Sequence, residues 1–124
     1  MKDTTQRFLA KAERAITAAQ RALAGGDTEA AAGRAYYAIF YVAEALLNEQ
    51  GLRFKKHGGV HGAFGEHFAK PGVLDPKYHQ WLLAAFEKRI TADYGIEETI
   101  ESDEVREMIA HAKDFLAAAC KHLT

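Results

Sequence analysis

The stretch that decides the fold is residues 29–50, EAAAGRAYYAIFYVAEALLNEQ. Its apolar side chains recur at steps of three and four residues, which places them on one face of an α-helix. Tyr37 and Tyr41 continue the apolar surface down a second side, so that only a narrow strip, which includes Asn48, is left for water. A helix that is apolar on most sides has to be covered on most sides. We therefore predict that it is the core helix of a bundle and also a homodimer contact, with Tyr37 or Tyr41 at or near the interface.

Length and composition indicate one globular domain over residues 1–124. The chain has 124 residues, of which 48% are apolar and 27% are charged. It is long enough for a single hydrophobic core and too short for two. Its one cysteine, Cys120, excludes an internal disulfide and a cysteine metal cluster, so a reducing compartment is expected. The absence of a membrane-length apolar run or a secretion signal predicts a cytoplasmic protein without membrane contact. The net charge of −1 provides no global attraction for nucleic acid, so such binding requires a local patch.

The first two helices are expected to pack antiparallel. Residues 4–24 carry an apolar stripe, and Gly25 and Gly26 then supply the conformation that ends a helix. Asp27 follows as the N-cap of the second helix, which Gly51 closes. So short a turn between two helices leaves them side by side and antiparallel.

The second half of the chain predicts one short helix and two longer ones. The third helix, over residues 60–68, should be short because glycines interrupt it and each costs about 1 kcal/mol relative to alanine. Asp75 as N-cap and Pro76 as first residue open a fourth helix that ends near Tyr94, and Ser102 caps the last helix. An acidic loop lies between them, with Glu97, Glu98 and Glu101. Since no strand pattern appears, the predicted fold is all-α, an antiparallel bundle of four long helices plus one short helix.

Four segments in order carry a family resemblance: GRAYYAIFYVAEALL (33–47), KHGGVHGAFGEHF (56–68), LDPKYHQWLLAAFEKRITADY (74–94) and AHAKDFLAA (110–118). Together they resemble the small stand-alone branch of the HEPN superfamily over nearly the whole chain. The resemblance implies a dimeric helical bundle, often encoded beside a minimal nucleotidyltransferase as a toxin–antitoxin pair. It also implies kinship with metal-independent ribonucleases, whose arginine and histidine, four to six residues apart, meet across the dimer cleft.

The sequence departs from that catalytic signature. The matching segment begins at Arg89 and continues through Asp93 and Tyr94, and no histidine stands at positions 94–96. Metal-free cleavage of RNA needs a group that accepts a proton from the 2′ hydroxyl near neutral pH, as imidazole does. Asp93 is a poor substitute because the neighbouring cation of Arg89 favours the ionised carboxylate. Arg89, Asp93 and Tyr94 are the catalytic candidates, and we expect no appreciable ribonuclease activity.

A ligand site is expected around Arg89. Arg89 and Asp93 lie one helical turn apart, so they can form an ion pair that fixes the end of the helix. The resemblance also gives Arg89 the role of holding a phosphate in the dimer cleft, with Tyr94 as a hydroxyl or stacking group. Lys56 and His57 form a basic rim near the same site. The expected ligand is a mononucleotide or a short RNA, bound weakly and in a salt-sensitive way.

Two other patterns are set aside. Arg106 and His111 reproduce the family signature literally, but on one helix they are about 140° apart, so a solvated face is the preferred interpretation. His57 and His61 have a spacing that can bind zinc, yet no third ligand follows at a helical step. We therefore predict neither a metal nor a cofactor.

Three classes of function remain open from the sequence. The first is a dimeric HEPN-like module of a toxin–antitoxin or nucleotidyltransferase-associated system that binds a nucleotide, RNA or a partner protein. The second is a metal-independent endoribonuclease toxin that uses a different base, such as His57 from the other subunit. The third is a purely structural dimer that binds another protein. In relatives paired with nucleotidyltransferases a tyrosine beside the signature is adenylylated, and Tyr94 resembles it, although its spacing from Arg89 is shorter.

Overall fold

The chain is described by a computed structural model that covers residues 1–96 and 99–124. The helices are α1 (Asp3–Ala24), α2 (Thr28–Glu49), α3 (His57–Phe64), α4 (Lys77–Tyr94) and α5 (Ser102–Leu123). A π-helical turn, Gly65–Ala69, extends α3. This arrangement confirms an all-α bundle of four long helices and one short one. The predicted acidic loop falls in part on Glu97 and Glu98, which lie outside the described residues, and no described helix is long and apolar enough to cross a membrane.

Helix α2 is the centre of the bundle, as its sequence predicts. It packs against α1, α3, α4 and α5, and Tyr36 and Ile39 on it are fully buried. The prediction that Asn48 faces water is wrong, because the first turn of α1 covers that end of the helix. Asn48 is buried and donates from Nδ2 to Thr5 Oγ1 at 3.0 Å, and the Thr5 hydroxyl in turn donates to Glu49 Oε1 at 2.8 Å.

The turn between α1 and α2 forms as expected. The Asp27 side chain caps α2 by accepting a hydrogen bond from the backbone N–H of Ala30 at 3.0 Å. Gly26 adopts a left-handed φ of 84°, and Gly51 does the same, with φ of 79°, just after α2 ends. A side chain would be strained at either position, so these two glycines explain why both helices stop where they do.

The starts of α4 and α5 differ from the prediction by one residue. Helix α4 begins at Lys77, but Asp75 still supplies the cap, because its Oδ1 accepts a hydrogen bond from the backbone N–H of Lys77 at 2.9 Å. Ser102 is the first residue of α5, so Glu101 takes the N-cap position without a side-chain capping hydrogen bond. Both shifts keep the register of the buried stripe.

The glycine-rich third helix is longer than predicted. It begins at His57, three residues early, and its π-helical turn reaches Ala69. Close packing explains one of its glycines. A Cβ atom at Gly65 would lie 2.7 Å from the imidazole ring of His79 on α4. The glycine that weakens the helix locally therefore allows α4 to approach it, and tertiary packing compensates for low helix propensity.

Candidate functional site

The candidate site is built around the hydroxyl of Tyr36, a fully buried residue of α2. The hydroxyl oxygen lies 3.0 Å from His57 Nδ1 and 2.8 Å from His61 Nε2. His57 and His61 are one turn apart on α3, so both imidazoles face α2 at the same place. One hydroxyl thus joins the core helix to the start of the weakest helix in the bundle.

The hydrogen-bond requirements of this triad fix its protons. A tyrosine hydroxyl carries one proton, so it donates to one imidazole and accepts from the other. Of the two imidazole nitrogens that contact the hydroxyl, one is therefore an unprotonated acceptor and the other is an N–H donor. Within the described residues every buried side-chain nitrogen and oxygen has a hydrogen-bond partner, and the bond from His57 uses Nδ1. Nε2, the other ring nitrogen of the half-buried His57, is therefore accessible at the protein surface.

All three groups of the triad are held in their neutral forms. The pKa of His61 is lowered to about 4, chiefly by burial and also by the neighbouring His57 and His79. Burial also lowers the pKa of His57, and the positive charge of Arg89 adds to the shift. The pKa of the Tyr36 hydroxyl is raised well above its usual value, chiefly by burial. At neutral pH the site holds uncharged imidazoles beside one permanent cation.

Aromatic packing holds the two imidazoles in place. The ring of His57 lies 4.4 Å from that of Phe40, and the ring of His61 lies 5.0 Å from that of Phe86. Phe86 also packs at 5.4 Å on Tyr36. Because α2, α3 and α4 each contribute a ring, the imidazoles cannot turn without disturbing three helices.

Arg89 on α4 borders this cluster. Its Nε lies 3.3 Å from Asp93 Oδ2, the ion pair that the spacing predicts. The guanidinium carbon lies 5.3 Å from the centre of the Tyr37 ring and 5.9 Å from that of Tyr36. The ring of His57 lies 5.7 Å from the ring of Tyr37. Arg89 and His57 therefore pack on the same two tyrosines within one chain.

The other residues singled out in the sequence lie at varying distances from this pair. Lys56 is exposed at the N-cap of α3, next to His57. Tyr94 ends α4 with 72% of its surface exposed. Tyr37 and Tyr41 are half-buried, and their ring centres lie 5.8 Å apart. The structure thus brings Arg89, His57 and Tyr37 together and leaves Tyr94 at the surface.

Sequence reasoning missed two members of the triad. It counted Tyr36 as part of an apolar stripe and considered His61 only as a zinc ligand. The signal for both was a tyrosine in an almost wholly apolar helix together with two histidines one turn apart. A buried tyrosine hydroxyl needs a hydrogen-bond partner, and two histidines one turn apart can supply it.

The literal arginine–histidine match on α5 does not form a site. Arg106 is exposed and its Nη1 lies 2.7 Å from Asp103 Oδ1. His111 stacks on Trp81 with ring centres 3.8 Å apart and ring planes within 2°. It is therefore a packing residue between α4 and α5 rather than part of the expected solvated face. In residues 1–96 and 99–124, no group of three or more His, Cys, Asp or Glu side chains is arranged to hold a metal ion.

Comparison with known proteins identifies the family. The model of the HEPN domain matches residues 5–123, which is nearly the whole chain. A helical bundle is what the family resemblance of the sequence implied. The chain belongs to the HEPN family.

Its relatives include proteins named as toxins. It is 30% identical to a Methanocaldococcus jannaschii protein named "Putative toxin MJ0142", over 95% of this chain and 80% of that protein. It is 32% identical to a second protein of that organism, "Putative toxin MJ0605", over 94% of this chain and 86% of that protein. A Thermotoga maritima "UPF0332 protein" is 41% identical over 71% of this chain and 67% of its own length. The chain is thus similar to two proteins that bear toxin names and to one that does not.

Proposed function

We propose that the protein is a homodimeric, toxin-like HEPN module that binds the phosphate of a nucleotide or of a short RNA at Arg89 and His57. The observation that carries this proposal is the adjacency of the Arg89 guanidinium and the His57 imidazole on the Tyr36 and Tyr37 rings. Guanidinium binds phosphate oxygens through paired N–H donors, and an imidazole beside it adds a donor or an acceptor.

The surroundings of Arg89 suit such a ligand. Asp93 holds the Nε side of the guanidinium at 3.3 Å, which orients the group, and 21% of the Arg89 side chain remains exposed. Its positive charge is partly shielded from water by the Tyr36 and Tyr37 rings, so an anion would feel it more strongly than on an open surface. Lys56, exposed at the start of α3, adds a second cation near His57.

The proposed dimer contact is formed by α4 and Tyr37. Leu83 and Ile90 are exposed and lie seven residues apart on one side of α4. A row of exposed apolar side chains on a helix is typical of a surface that another protein covers. Arg89 lies about 100° around α4 from Ile90, on the side of the helix that contacts Tyr37. A second copy that covers the row would lie on the side of α4 next to this contact.

The toxin names of two relatives support membership in a toxin–antitoxin system, and the resemblance supplies the partner, a minimal nucleotidyltransferase. Tyr94 suits the role of adenylyl acceptor because 72% of its surface is exposed at the end of α4. Incubation with the nucleotidyltransferase and ATP, followed by mass spectrometry, tests this. Adenylylation at Tyr94 supports the partner, and an unmodified chain contradicts it.

A ribonuclease is the second candidate, and one observation favours it. The missing histidine of the signature has a spatial substitute, since His57 stands beside Arg89 in the same chain as a neutral imidazole. A neutral imidazole can accept the proton of a 2′ hydroxyl while Arg89 holds the phosphate. Cleavage of RNA in the presence of a chelator, lost in both His57→Ala and Arg89→Ala, would establish this candidate. We expect no cleavage.

The proposed binding is tested by titration calorimetry at low salt with adenosine monophosphate and, separately, with inorganic phosphate. We expect weak binding that decreases as salt is added, because the contact is an exposed ionic one. The absence of heat with either ligand would contradict the phosphate site and favour the purely protein-binding dimer.

A further inference from the structure

Two side-chain contacts join α4 to α5 and leave a gap between them. The ring of Trp81 on α4 stacks on the ring of His111 on α5, with ring centres 3.8 Å apart. Seven residues later on α4 and seven residues earlier on α5, Lys88 Nζ lies 3.9 Å from Glu104 Oε2. Seven residues of α-helix span about 10.5 Å, which is the distance that separates the two contacts along the helices. We call the gap between them the α4–α5 pocket.

The pocket exists because short side chains face it from α4. Ala84 and Ala85 lie between the two contacts, and a methyl group is too short to fill the space between neighbouring helices. The cavity that results has a volume of about 150 Å³. It reaches the fully buried Ile39 of α2 and the buried Met108 of α5, and Trp81 forms one of its walls. A cavity of this volume with apolar walls accommodates a group about the size of benzene.

The pocket also carries one charge of each sign. Lys88 and Glu107 line it, with 34% and 65% of their side chains exposed. The 3.9 Å between Lys88 Nζ and the Glu104 oxygen exceeds a hydrogen bond, so this contact leaves the ammonium donors available. Glu107 Oε1 lies 3.6 Å from His111 Nε2, and the pKa of His111 is lowered, chiefly by burial, so that the imidazole is uncharged at neutral pH. His111 therefore does not neutralise the Glu107 carboxylate.

A ligand that matches these features has an apolar tail, a negative group and a positive group. We infer that the α4–α5 pocket binds a small zwitterion with an apolar tail, which is the chemistry of a free apolar α-amino acid. The tail enters the cavity against Trp81, the carboxylate contacts Lys88, and the ammonium contacts Glu107. Burial of the tail supplies most of the affinity, and the two partly exposed charge contacts supply selectivity.

The pocket lies apart from the phosphate site and from the proposed dimer contact. Arg89 lies about 100° around α4 from Lys88 and contacts Tyr37 of α2. Ile90 lies about 160° around the helix from Lys88, so a second copy that covers Leu83 and Ile90 leaves the pocket open. The inference therefore goes beyond the proposed function and does not depend on it.

The binding is tested on the full chain with four ligands. Trp81 is the one tryptophan of the chain, so its fluorescence reports directly on the pocket, and calorimetry measures the heat of the same binding. L-phenylalanine is the ligand with all three features. L-phenylalaninamide lacks the carboxylate, 3-phenylpropionate lacks the ammonium, and glycine lacks the tail.

Three variants change the pocket, and two matched variants serve as controls. Ala84→Leu fills the cavity from an exposed position, and Lys88→Met and Glu107→Gln each remove one charge. Ala110→Leu and Lys113→Met make the corresponding changes at exposed positions of α5 that do not line the pocket.

We expect L-phenylalanine to bind with a dissociation constant of about 1 mM, which suits a ligand of about a dozen non-hydrogen atoms. L-phenylalaninamide and 3-phenylpropionate should bind about three- to five-fold more weakly, because each loses one exposed charge contact, and glycine should show no binding. Lys88→Met and Glu107→Gln should weaken the binding of phenylalanine by the same factor. Ala84→Leu should weaken it at least about ten-fold, because the leucine and the tail compete for one volume. Both control variants should bind like the original chain.

The Glu107→Gln variant gives the sharpest comparison. In this variant phenylalanine and 3-phenylpropionate should bind equally, because the ammonium has lost the carboxylate that it contacts. A purely structural role of Glu107 would instead leave the preference for phenylalanine unchanged.

Three results would overturn the inference. The first is the absence of both heat and a fluorescence change with phenylalanine at concentrations up to about 20 mM. The second is equal affinity of the original chain for phenylalanine and 3-phenylpropionate, which would exclude recognition of a zwitterion. The third is equal affinity of Ala84→Leu and Ala110→Leu for phenylalanine, which would place the binding outside the pocket.

Discussion

The Tyr36 hydroxyl lies 2.8 Å from Nε2 of His61, and this contact joins the most buried helix of the bundle to its weakest helix. Helix α3 has glycine at three of its eight positions, so its own backbone preference does little to keep it helical. Its attachment to α2 through Tyr36 is therefore a main reason why His57 stands beside Arg89.

Removal of the Tyr36 hydroxyl should be costly. Tyr36→Phe keeps the ring but deletes both hydrogen bonds, which leaves a nitrogen of buried His61 without a partner. An unsatisfied buried polar group costs about 1–3 kcal/mol, so we expect the free energy of unfolding to fall by that amount. Urea denaturation measures it, with Tyr41→Phe, at a half-buried position, as the control. Equal stability of the two variants would contradict a structural role for the triad.

Stability should fall as pH falls from 7 to 5. In the folded chain the pKa of His61 is about 4, against 6.5 for an ordinary histidine. Between these values the unfolded chain binds a proton that the folded chain does not, so stability is complete above pH 6.5 and is lost as pH decreases. The loss between pH 7 and pH 5 should be about 2 kcal/mol.

Urea denaturation at the two pH values measures this change. His57, whose pKa is also lowered, acts in the same direction. His61→Gln should reduce the difference, because its amide can still bond to Tyr36 but does not titrate. A free energy of unfolding that is the same at pH 5 and pH 7 in the original chain would refute the buried neutral imidazole.

Two glycines of the third helix should respond in opposite ways to alanine. A Cβ at Gly62 has nothing within 4 Å, so Gly62→Ala should stabilise the chain by about 0.5–1 kcal/mol through helix propensity. A Cβ at Gly65 would lie 2.7 Å from the His79 ring, whose Nε2 is 3.1 Å from the His61 carbonyl oxygen. Gly65→Ala should therefore destabilise by about 1–3 kcal/mol. Thermal denaturation of both variants checks this, and the same sign for both would contradict the packing described for α3 and α4.

The fold was largely readable from the sequence, and the site was readable only in part. Residues 29–50 predicted a core helix because apolar side chains occupy most of the circumference of that helix. Asp27 and the glycines before it indicated where the helix starts. The pairing of Arg89 with Asp93 followed from a four-residue step along one helix. Periodicity describes one helix at a time, so it could not show that Tyr36, His57 and Arg89, from three helices, share one place.

Dimerisation should depend on the exposed apolar row of α4. Ile90, 37% exposed, lies in that row with Leu83, so Ile90→Glu should place a charge in the contact and give monomers. Sedimentation velocity at micromolar concentration measures the state, and we expect two chains for the original protein. Val73→Glu, at an exposed apolar residue outside α4, is the control and should stay dimeric. A monodisperse monomer in the original protein would remove the dimer proposal, including the interface role of Tyr37 and Tyr41.

The affinity of Arg89→Ala for adenosine monophosphate, measured by calorimetry at low salt, tests the central claim most directly. Arg106→Ala is the matched control, because Arg106 is also an α-helical arginine paired with an aspartate one turn away. The account predicts that Arg89→Ala binds at least about ten-fold more weakly, since a hydrogen-bonded charge contact is lost, while Arg106→Ala binds like the original chain. Unchanged affinity in a folded Arg89→Ala variant would contradict it and would leave Arg89 as a residue that only fixes the end of α4.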